Sequence, residues 1–165
     1  MTSFRLVFRR LFSAVGMSTL LLLSAAATGA QPSAFTGLGG AWTGGGTVSL
    51  SDGSTERIRC RANYSVGGGG TTLKQTLRCA SDSYKFDLDS DVVSQGGSVS
   101  GTWSESGRNI NGSLRGRASG DRISVFVEAA GFSANLTLTT HGSRQSISIT
   151  SQGDIKSVSL ALVRG

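Results

Sequence analysis

The two cysteines, Cys60 and Cys79, carry the clearest chemistry in this chain. They flank a run of glycines, and a hairpin that turns at Gly69-Gly70 places them directly opposite each other. Opposed residues of an antiparallel pair can have the short Cβ separation that a disulfide requires. They are not a C-x-x-C pair and have no adjacent histidine, so the spacing favours a structural disulfide over a redox-active one. A disulfide indicates an oxidising compartment.

Other residues that could do chemistry are few. His141 is the only histidine and falls beside Gly142 in a predicted turn, where a solvated surface role is typical. Asp87, Asp89 and Asp91 alternate along one strand, which spaces them too widely for one calcium ion without help from loops. The chain has no G-x-S-x-G elbow, phosphate loop or zinc spacing. We therefore expect no catalytic residue, no metal and no cofactor.

The first thirty residues predict an export signal. Arg5, Arg9 and Arg10 precede an apolar stretch over 11–27, and Ala30 offers a cleavage site, with cleavage after Ala27 as the alternative. Paired arginines leave twin-arginine export open beside the general route. The prediction is a periplasmic or secreted protein.

Removal of residues 1–30 changes the charge of the chain. The leader holds three arginines and no acid, which leaves 13 basic and 10 acidic side chains and a net charge of +3. This modest charge does not indicate nucleic-acid binding. Residues 31–40 then form an N-terminal extension and residues 41–165 one domain.

The domain alternates apolar and polar residues with period two between glycine-centred turns, which predicts strands. Adjacent hairpins without a long crossover favour an all-β, antiparallel up-and-down meander of about eight to ten strands that closes into a small soluble barrel. Ten segments can be drawn, at 41–51, 55–66, 72–81, 84–93, 97–105, 108–118, 122–129, 132–140, 144–151 and 155–164.

The turns also predict strand register, because a slip of one residue would move each apolar set to the wrong face. The predicted pairs are Cys60 with Cys79, Val48 with Ile58, Trp103 with Ile110, Val99 with Leu114, Ala118 with Ile123, Val127 with Ala134, Leu136 with Ile147 and Ile149 with Val158.

The apolar face combines aromatic rings with isolated amides, as small-ligand sites do, although a filled barrel core has the same composition. Fatty-acid binders need an interior cation, so any ligand here should be neutral or weakly polar. Five glycines on this face, at positions 44, 46, 101, 112 and 116, permit sharp coiling or leave room inside. The candidate interior residues are Trp42, Tyr64, Gln75, Tyr84, Phe86, Trp103 and Gln145.

The opposite face is basic along two neighbouring strands. Its charges could protect against aggregation or attract an anionic envelope component. It has no aromatic rings on which bases could stack, so nucleic acid is a poor partner. The residues of this basic face are Arg57, Arg59, Arg61, Lys74 and Arg78.

Gly40-Ala41-Trp42 on the first strand resembles the G-x-W start of the calycin superfamily, which includes lipocalins, avidins and fatty-acid-binding proteins. In lipocalins and avidins a basic side chain near the chain end packs over that tryptophan, and Arg164 matches it in position. The resemblance implies a small ligand-binding barrel whose base is closed by Trp42 and Arg164.

Three functions are compatible with this sequence. The first is an exported, non-catalytic barrel that binds a small apolar ligand or an envelope component, without spanning the membrane. The second is an inhibitor-like or adhesin-like interaction protein that uses the basic face. The third is an outer-membrane barrel, which the scarce aromatics, the terminal Val163-Arg164-Gly165 and the placement of Gln75 and Gln145 disfavour.

Overall fold

The structure is a computed structural model and describes residues 33–165, so the predicted leader over 1–30 lies outside the described residues. Ten strands occupy most of this range, which confirms the predicted fold class. The strands are β1 Gly40–Leu50, β2 Thr55–Gly67, β3 Thr72–Ala80, β4 Lys85–Gln95, β5 Ser98–Glu105, β6 Ile110–Ser119, β7 Arg122–Ala129, β8 Phe132–His141, β9 Arg144–Ser151 and β10 Ile155–Arg164.

The strands form one closed barrel. Each strand pairs antiparallel with the next along the chain, and β1 pairs antiparallel with β10. Closure leaves no strand in the barrel with an unpaired edge. A single 3₁₀ turn spans Gly68–Gly70. Over residues 33–165, no helix has the length and apolar character needed to cross a membrane.

Four of the predicted strand pairs are confirmed. Their register is the one that the glycine turns predict. These pairs are Cys60 with Cys79, Ala118 with Ile123, Val127 with Ala134 and Ile149 with Val158.

The other four predicted pairs are wrong by two residues, because the turns differ in length or position from those assumed. The β5–β6 turn holds residues 106–109, the β8–β9 turn is at 142–143, and the β1–β2 turn is at 51–54. A slip of two keeps every inward residue inward. The observed partners are Gly46 for Ile58, Gly112 for Trp103, Gly116 for Val99 and Leu138 for Ile147.

Inward-facing glycines permit the tight coiling of the sheet. A Cβ atom at any of positions 44, 46, 101, 112 and 116 would overlap a carbonyl oxygen of the neighbouring strand. The missing side chains therefore allow adjacent backbones to approach closely. At Gly112 the same space also receives the indole ring of Trp103.

One end of the barrel, which we call the closed end, carries Gly165, the first described residues and the turns at 68–71, 96–97, 120–121 and 142–143. Residues 33–39, here called the plug, turn across this end. Phe35 and Leu38 of the plug are buried, and the Phe35 N–H donates to the carbonyl of Gly70 at 3.0 Å. The plug, which is part of the predicted N-terminal extension, thus covers the closed end.

The opposite end, which we call the open end, carries the turns at 51–54, 81–84, 106–109, 130–131 and 152–154. No described residue outside these turns crosses it in the way that the plug crosses the closed end. The described residues thus cover one end of the barrel with the plug and leave only turns at the other.

The predicted disulfide between Cys60 and Cys79 is present, with a Cα–Cα distance of 4.1 Å. Both side chains are buried and face inward, where the bond joins β2 to β3. The pairing supports the predicted oxidising compartment, since such bonds persist in extracellular and periplasmic proteins.

Replacement of both cysteines, Cys60→Ser with Cys79→Ser, should lower the free energy of unfolding by about 3 kcal/mol, because the unfolded chain then gains loop freedom. Urea denaturation of the variant and of the oxidised protein measures the difference. An unchanged midpoint would show that the bond does not contribute to stability.

Gly116→Ala should lower the free energy of unfolding by about 1–3 kcal/mol, because the new methyl group overpacks the sheet. Its Cβ would lie 2.6 Å from the Cα of Val125. Gly153→Ala is the matched control, since a Cβ there meets nothing within 4 Å. Equal thermal midpoints for the two variants would contradict the assigned role of the inward glycines.

Candidate functional site

The predicted interior residues separate into two groups, one at each end of the barrel. Trp42, Tyr64 and Gln145 lie together beneath the plug and are almost completely buried. The Tyr64 hydroxyl donates to Gln145 Oε1 at 2.9 Å, and Gln145 Nε2 donates to Thr140 Oγ1 at 3.3 Å. Burial raises the pKa of Tyr64, and the hydrogen bond to Gln145 opposes that rise. These hydrogen-bonded groups fill this part of the core.

Arg164 covers the same end. Its guanidinium lies 4.7 Å from the ring centroid of Trp42 and donates to the carbonyl of Gly37 in the plug. The indole Nε1 of Trp42 donates to the carbonyl of Leu38 at 2.8 Å. The first strand, the last strand and the plug are therefore joined at one tryptophan, in the arrangement that the sequence predicts for these two residues.

Tyr84, Phe86 and Trp103 lie at the open end and are only partly buried. The rings of Tyr84 and Phe86 are stacked with centroids 6.1 Å apart, and Arg108 lies 5.2 Å from the Phe86 centroid. Trp103 meets the edge of Phe132 at 5.9 Å. The three rings thus stand where the inner wall meets solvent.

The wall below these rings is apolar and also partly exposed. Its side chains pack against the buried core and remain partly exposed. This partly exposed inner wall consists of Leu50, Leu88, Leu114, Val127, Leu136, Ile149, Ile155 and Val158.

Gln75 is a polar side chain on the inner wall, between the buried residues of the closed end and the aromatic rings of the open end. Tyr64, Gln75, Ser90 and Trp103 pair in one row across β2 to β5. The Ser90 hydroxyl donates to Gln75 Oε1 at 3.4 Å. Among the described residues the Gln75 amide nitrogen has no hydrogen-bond acceptor, so it is available to a ligand oxygen.

Glu105 is an inward carboxylate that the sequence analysis missed, although it shares the parity of Trp103. It is 4% exposed and accepts hydrogen bonds from the backbone N–H groups of Asp87 (3.1 Å), Gly107 (3.1 Å) and Arg108 (2.7 Å). Burial acts to raise the pKa of Glu105, but these donors and the Arg108 charge outweigh it and hold the pKa below its usual value. Glu105 thus fixes the β5–β6 turn, and it has no general base beside it.

Several of the remaining ionisable residues form ion pairs. His141 Nδ1 lies 2.9 Å from Asp121 Oδ2, with both side chains well exposed. On β4 the three alternating aspartates face outward, and each contacts a basic side chain on β3. In residues 33–165 no group of three or more His, Cys, Asp or Glu side chains is close enough to hold a metal ion.

The basic face is divided by these contacts. Arg78 bonds to Asp87 and Asp89 at 3.2 and 3.1 Å, and Lys74 bonds to Asp91 at 3.2 Å. Arg57, Arg59 and Arg61 are exposed on β2 and form no ion pair within residues 33–165. The predicted basic face therefore contains two residues that are paired with acids, Lys74 and Arg78, and three arginines that form no ion pair among the described residues.

Two hollows lie away from the open end. One, of about 320 Å³, lies between the plug residues Ala34 and Leu38, the turns at 120–121 and 140–142, and Arg164. The other, of about 420 Å³, lies along β3, β4 and β5 beside Lys74 and Asp91. Neither contains the predicted interior aromatic residues.

Comparison with known proteins supports the fold alone. No family model and no curated protein matches this chain. The crystal structure of Rv2717c from M. tuberculosis is similar, with a TM-score of 0.63, over 79% of this chain and 94% of that chain. At 14% sequence identity this likeness shows a shared barrel architecture.

Glu105→Gln should lower the free energy of unfolding at pH 7 by about 1–3 kcal/mol, because a charged acceptor of several N–H groups is lost. The pKa of Glu105 is lower in the folded than in the unfolded chain, so its contribution is complete above the usual value near 4.5 and is lost as the pH falls through the folded pKa. The stability difference between wild type and variant should therefore shrink below about pH 4.

Chemical denaturation of both proteins from pH 7 to pH 3 measures this difference. Asp52 and Glu56, whose pKa values are also lowered, are present in both proteins and cancel. A difference that stays constant over this range would contradict the assigned role of the carboxylate.

Proposed function

We propose that this protein is an exported, non-catalytic β-barrel that binds a small neutral or weakly polar apolar molecule at its open end. The observation that carries the proposal is the partly exposed inner wall. Its side chains face inward from seven different strands or their ends and are partly exposed, although other inward residues near the same end, such as Val48 and Ile58, are buried.

The energetics of this wall favour a ligand. Apolar surface removed from water contributes about 25 cal/mol per Å², so a molecule that covers the wall gains affinity in proportion to the surface it removes from solvent. Tyr84, Phe86 and Trp103 provide large flat surfaces at the entrance. The Gln75 amide can orient a carbonyl or hydroxyl group of the ligand without selecting for charge.

The inner wall also explains why an ionised ligand is disfavoured. The carboxylate of Glu105 lies at this end, and its charge opposes the approach of an acid. Arg108 already contacts both Glu105 and the face of Phe86. A neutral apolar molecule avoids the cost of bringing an unpaired charge into the barrel.

Three further elements belong to this proposal. Export through the predicted leader to the periplasm or beyond agrees with the disulfide between Cys60 and Cys79. A calycin-like ancestry agrees with the contact between Arg164 and Trp42. The alternative of an outer-membrane barrel requires an apolar outer wall, whereas the outward positions here are mostly Ser, Thr and charged residues.

Phe86→Ala should weaken binding of the neutral fluorescent probe N-phenyl-1-naphthylamine by about tenfold, because an aromatic surface worth about 1.5 kcal/mol or more is removed from the site. Phe126→Ala is the matched control. Phe126 is also an aromatic residue that packs beneath an arginine, Arg115 at 5.1 Å, but it faces outward from β7.

Fluorescence titration of the wild type and of both variants measures the dissociation constants. The proposal requires saturable binding that depends on Phe86 and is unchanged in the Phe126 variant. No saturable binding by the wild type, or equal losses in both variants, would refute it.

A further inference from the structure

Three arginines form a separate surface on the outside of the barrel. Arg57, Arg59 and Arg61, here called the arginine ladder, alternate along β2 and are exposed. We propose that the arginine ladder binds a linear acidic polysaccharide, by pairing its guanidinium groups with successive carboxylates. This inference does not depend on the apolar site, which lies inside the barrel.

The spacing of the ladder suits a polymer. Alternate residues of a strand lie about 6.6–6.8 Å apart on one face, so the ladder offers three cationic groups in a line of about 13 Å. Guanidinium groups can hold carboxylates through two parallel hydrogen bonds. A polymer with regularly repeated carboxylates can contact several of the arginines at once and can also bind in registers shifted by one repeat, which raises its apparent affinity.

The structure separates the ladder from the rest of the basic face. Arg61 lies directly opposite Arg78, and these like charges would repel each other. Arg78 instead contacts Asp87 and Asp89 on the far side, towards β4. The ladder, which has no ion pair in the described residues, therefore concentrates the positive potential of this wall on β2.

The surface beside the ladder favours a sugar polymer over other polyanions. Apart from Lys156 and Val163, the exposed residues beside the ladder on β1 and β10 are small and uncharged, and most carry a hydroxyl group that can pair with sugar hydroxyls. No aromatic ring stands among them on which a base could stack, and only one large apolar residue is exposed there for a lipid. This shelf consists of Thr43, Gly45, Thr47 and Ser49 on β1, and Ser157, Ser159, Ala161 and Val163 on β10.

The shelf also allows close approach. Gly45 pairs with Arg59 and with Ala161, so the centre of the shelf has almost no side chain. A polymer lying along β2 can therefore contact the backbone surface at the middle rung. Glu56 directly precedes Arg57 on β2, but it takes the parity opposite to the ladder and its carboxylate accepts a hydrogen bond from the Ser83 N–H at 3.2 Å.

The test is binding of the purified protein to immobilised polygalacturonate, a linear polyuronic acid, measured by biolayer interferometry at low and at physiological salt. The variant Arg57→Gln with Arg59→Gln and Arg61→Gln should bind about tenfold more weakly and with a smaller salt dependence. The control variant Arg115→Gln with Arg117→Gln and Arg122→Gln has the same change in net charge on β6 and β7 and should bind like the wild type.

Two further probes decide the class of partner. Methyl-esterified polygalacturonate, which has lost its carboxylate charges, should not bind. An oligothymidylate of similar length and anionic phospholipid vesicles should bind more weakly than the polyuronic acid.

Thermal midpoints and N-phenyl-1-naphthylamine binding, measured in parallel, show whether the ladder variant is folded and keeps an intact interior. Selective loss in the ladder variant supports the proposal. It is overturned by no binding of the wild type, by equal losses in the ladder and control variants, or by tighter binding to the oligonucleotide or to vesicles.

Discussion

The pairing of the first strand with the last is the constraint on which the rest of the structure depends. β1 meets β10 over nine residue pairs, and a Cβ atom at Gly44 or Gly46 would collide with the carbonyl oxygen of Ala161 or Ser159 on β10. The seam therefore closes only because these two inward positions have no side chain. Without it, β1 and β10 would both present unpaired edges and the inner apolar face would be open to water.

The seam also organises the closed end. Its last pair is Trp42 with Arg164, and the cation–π contact between them is the geometric continuation of the strand pairing. The plug enters directly before β1, so the same tryptophan receives the plug through the carbonyl of Leu38. Closure of the sheet and closure of one end thus share a single set of contacts, while the far end has no equivalent segment among the described residues.

Because only one end is covered by the plug, the same period-two pattern of inward residues leads to different degrees of burial at the two ends. Inward residues near the plug are buried and their polar groups are satisfied, as Tyr64 and Gln145 show. Burial near the opposite turns is mixed, since Val48 and Ile58 are buried there whereas Phe86 and Trp103 stay partly exposed. The proposed ligand site and the proposed polysaccharide surface use different sides of the wall, so the barrel could hold a ligand while it is attached to a polymer.

Period-two alternation and glycine turns were sufficient to predict the strands, the closed meander and the disulfide. They do not determine turn length, and so the pattern predicts Ile110 as the partner of Trp103, whereas the partner in the structure is Gly112. The exposed fraction of each inward side chain could not be predicted either, because parity shows that a side chain faces inward but not how close it lies to an end of the barrel. Glu105 was missed because a carboxylate at an inward position contradicts the apolar pattern unless the turn beyond it supplies N–H donors.

The chain has two tryptophans, and the structure places one at each end of the barrel. The most direct test of whether the barrel is closed at one end and open to ligand at the other is acrylamide quenching of tryptophan fluorescence. It is measured with and without the neutral apolar molecule decanol, in the variant Trp42→Phe, which retains Trp103, and in Trp103→Phe, which retains Trp42. The account predicts that Trp103, observed alone, is readily quenched and becomes protected by decanol, whereas Trp42, observed alone, is protected in both conditions. Equal quenching of the two tryptophans, or no protection of Trp103 by the ligand, would contradict it.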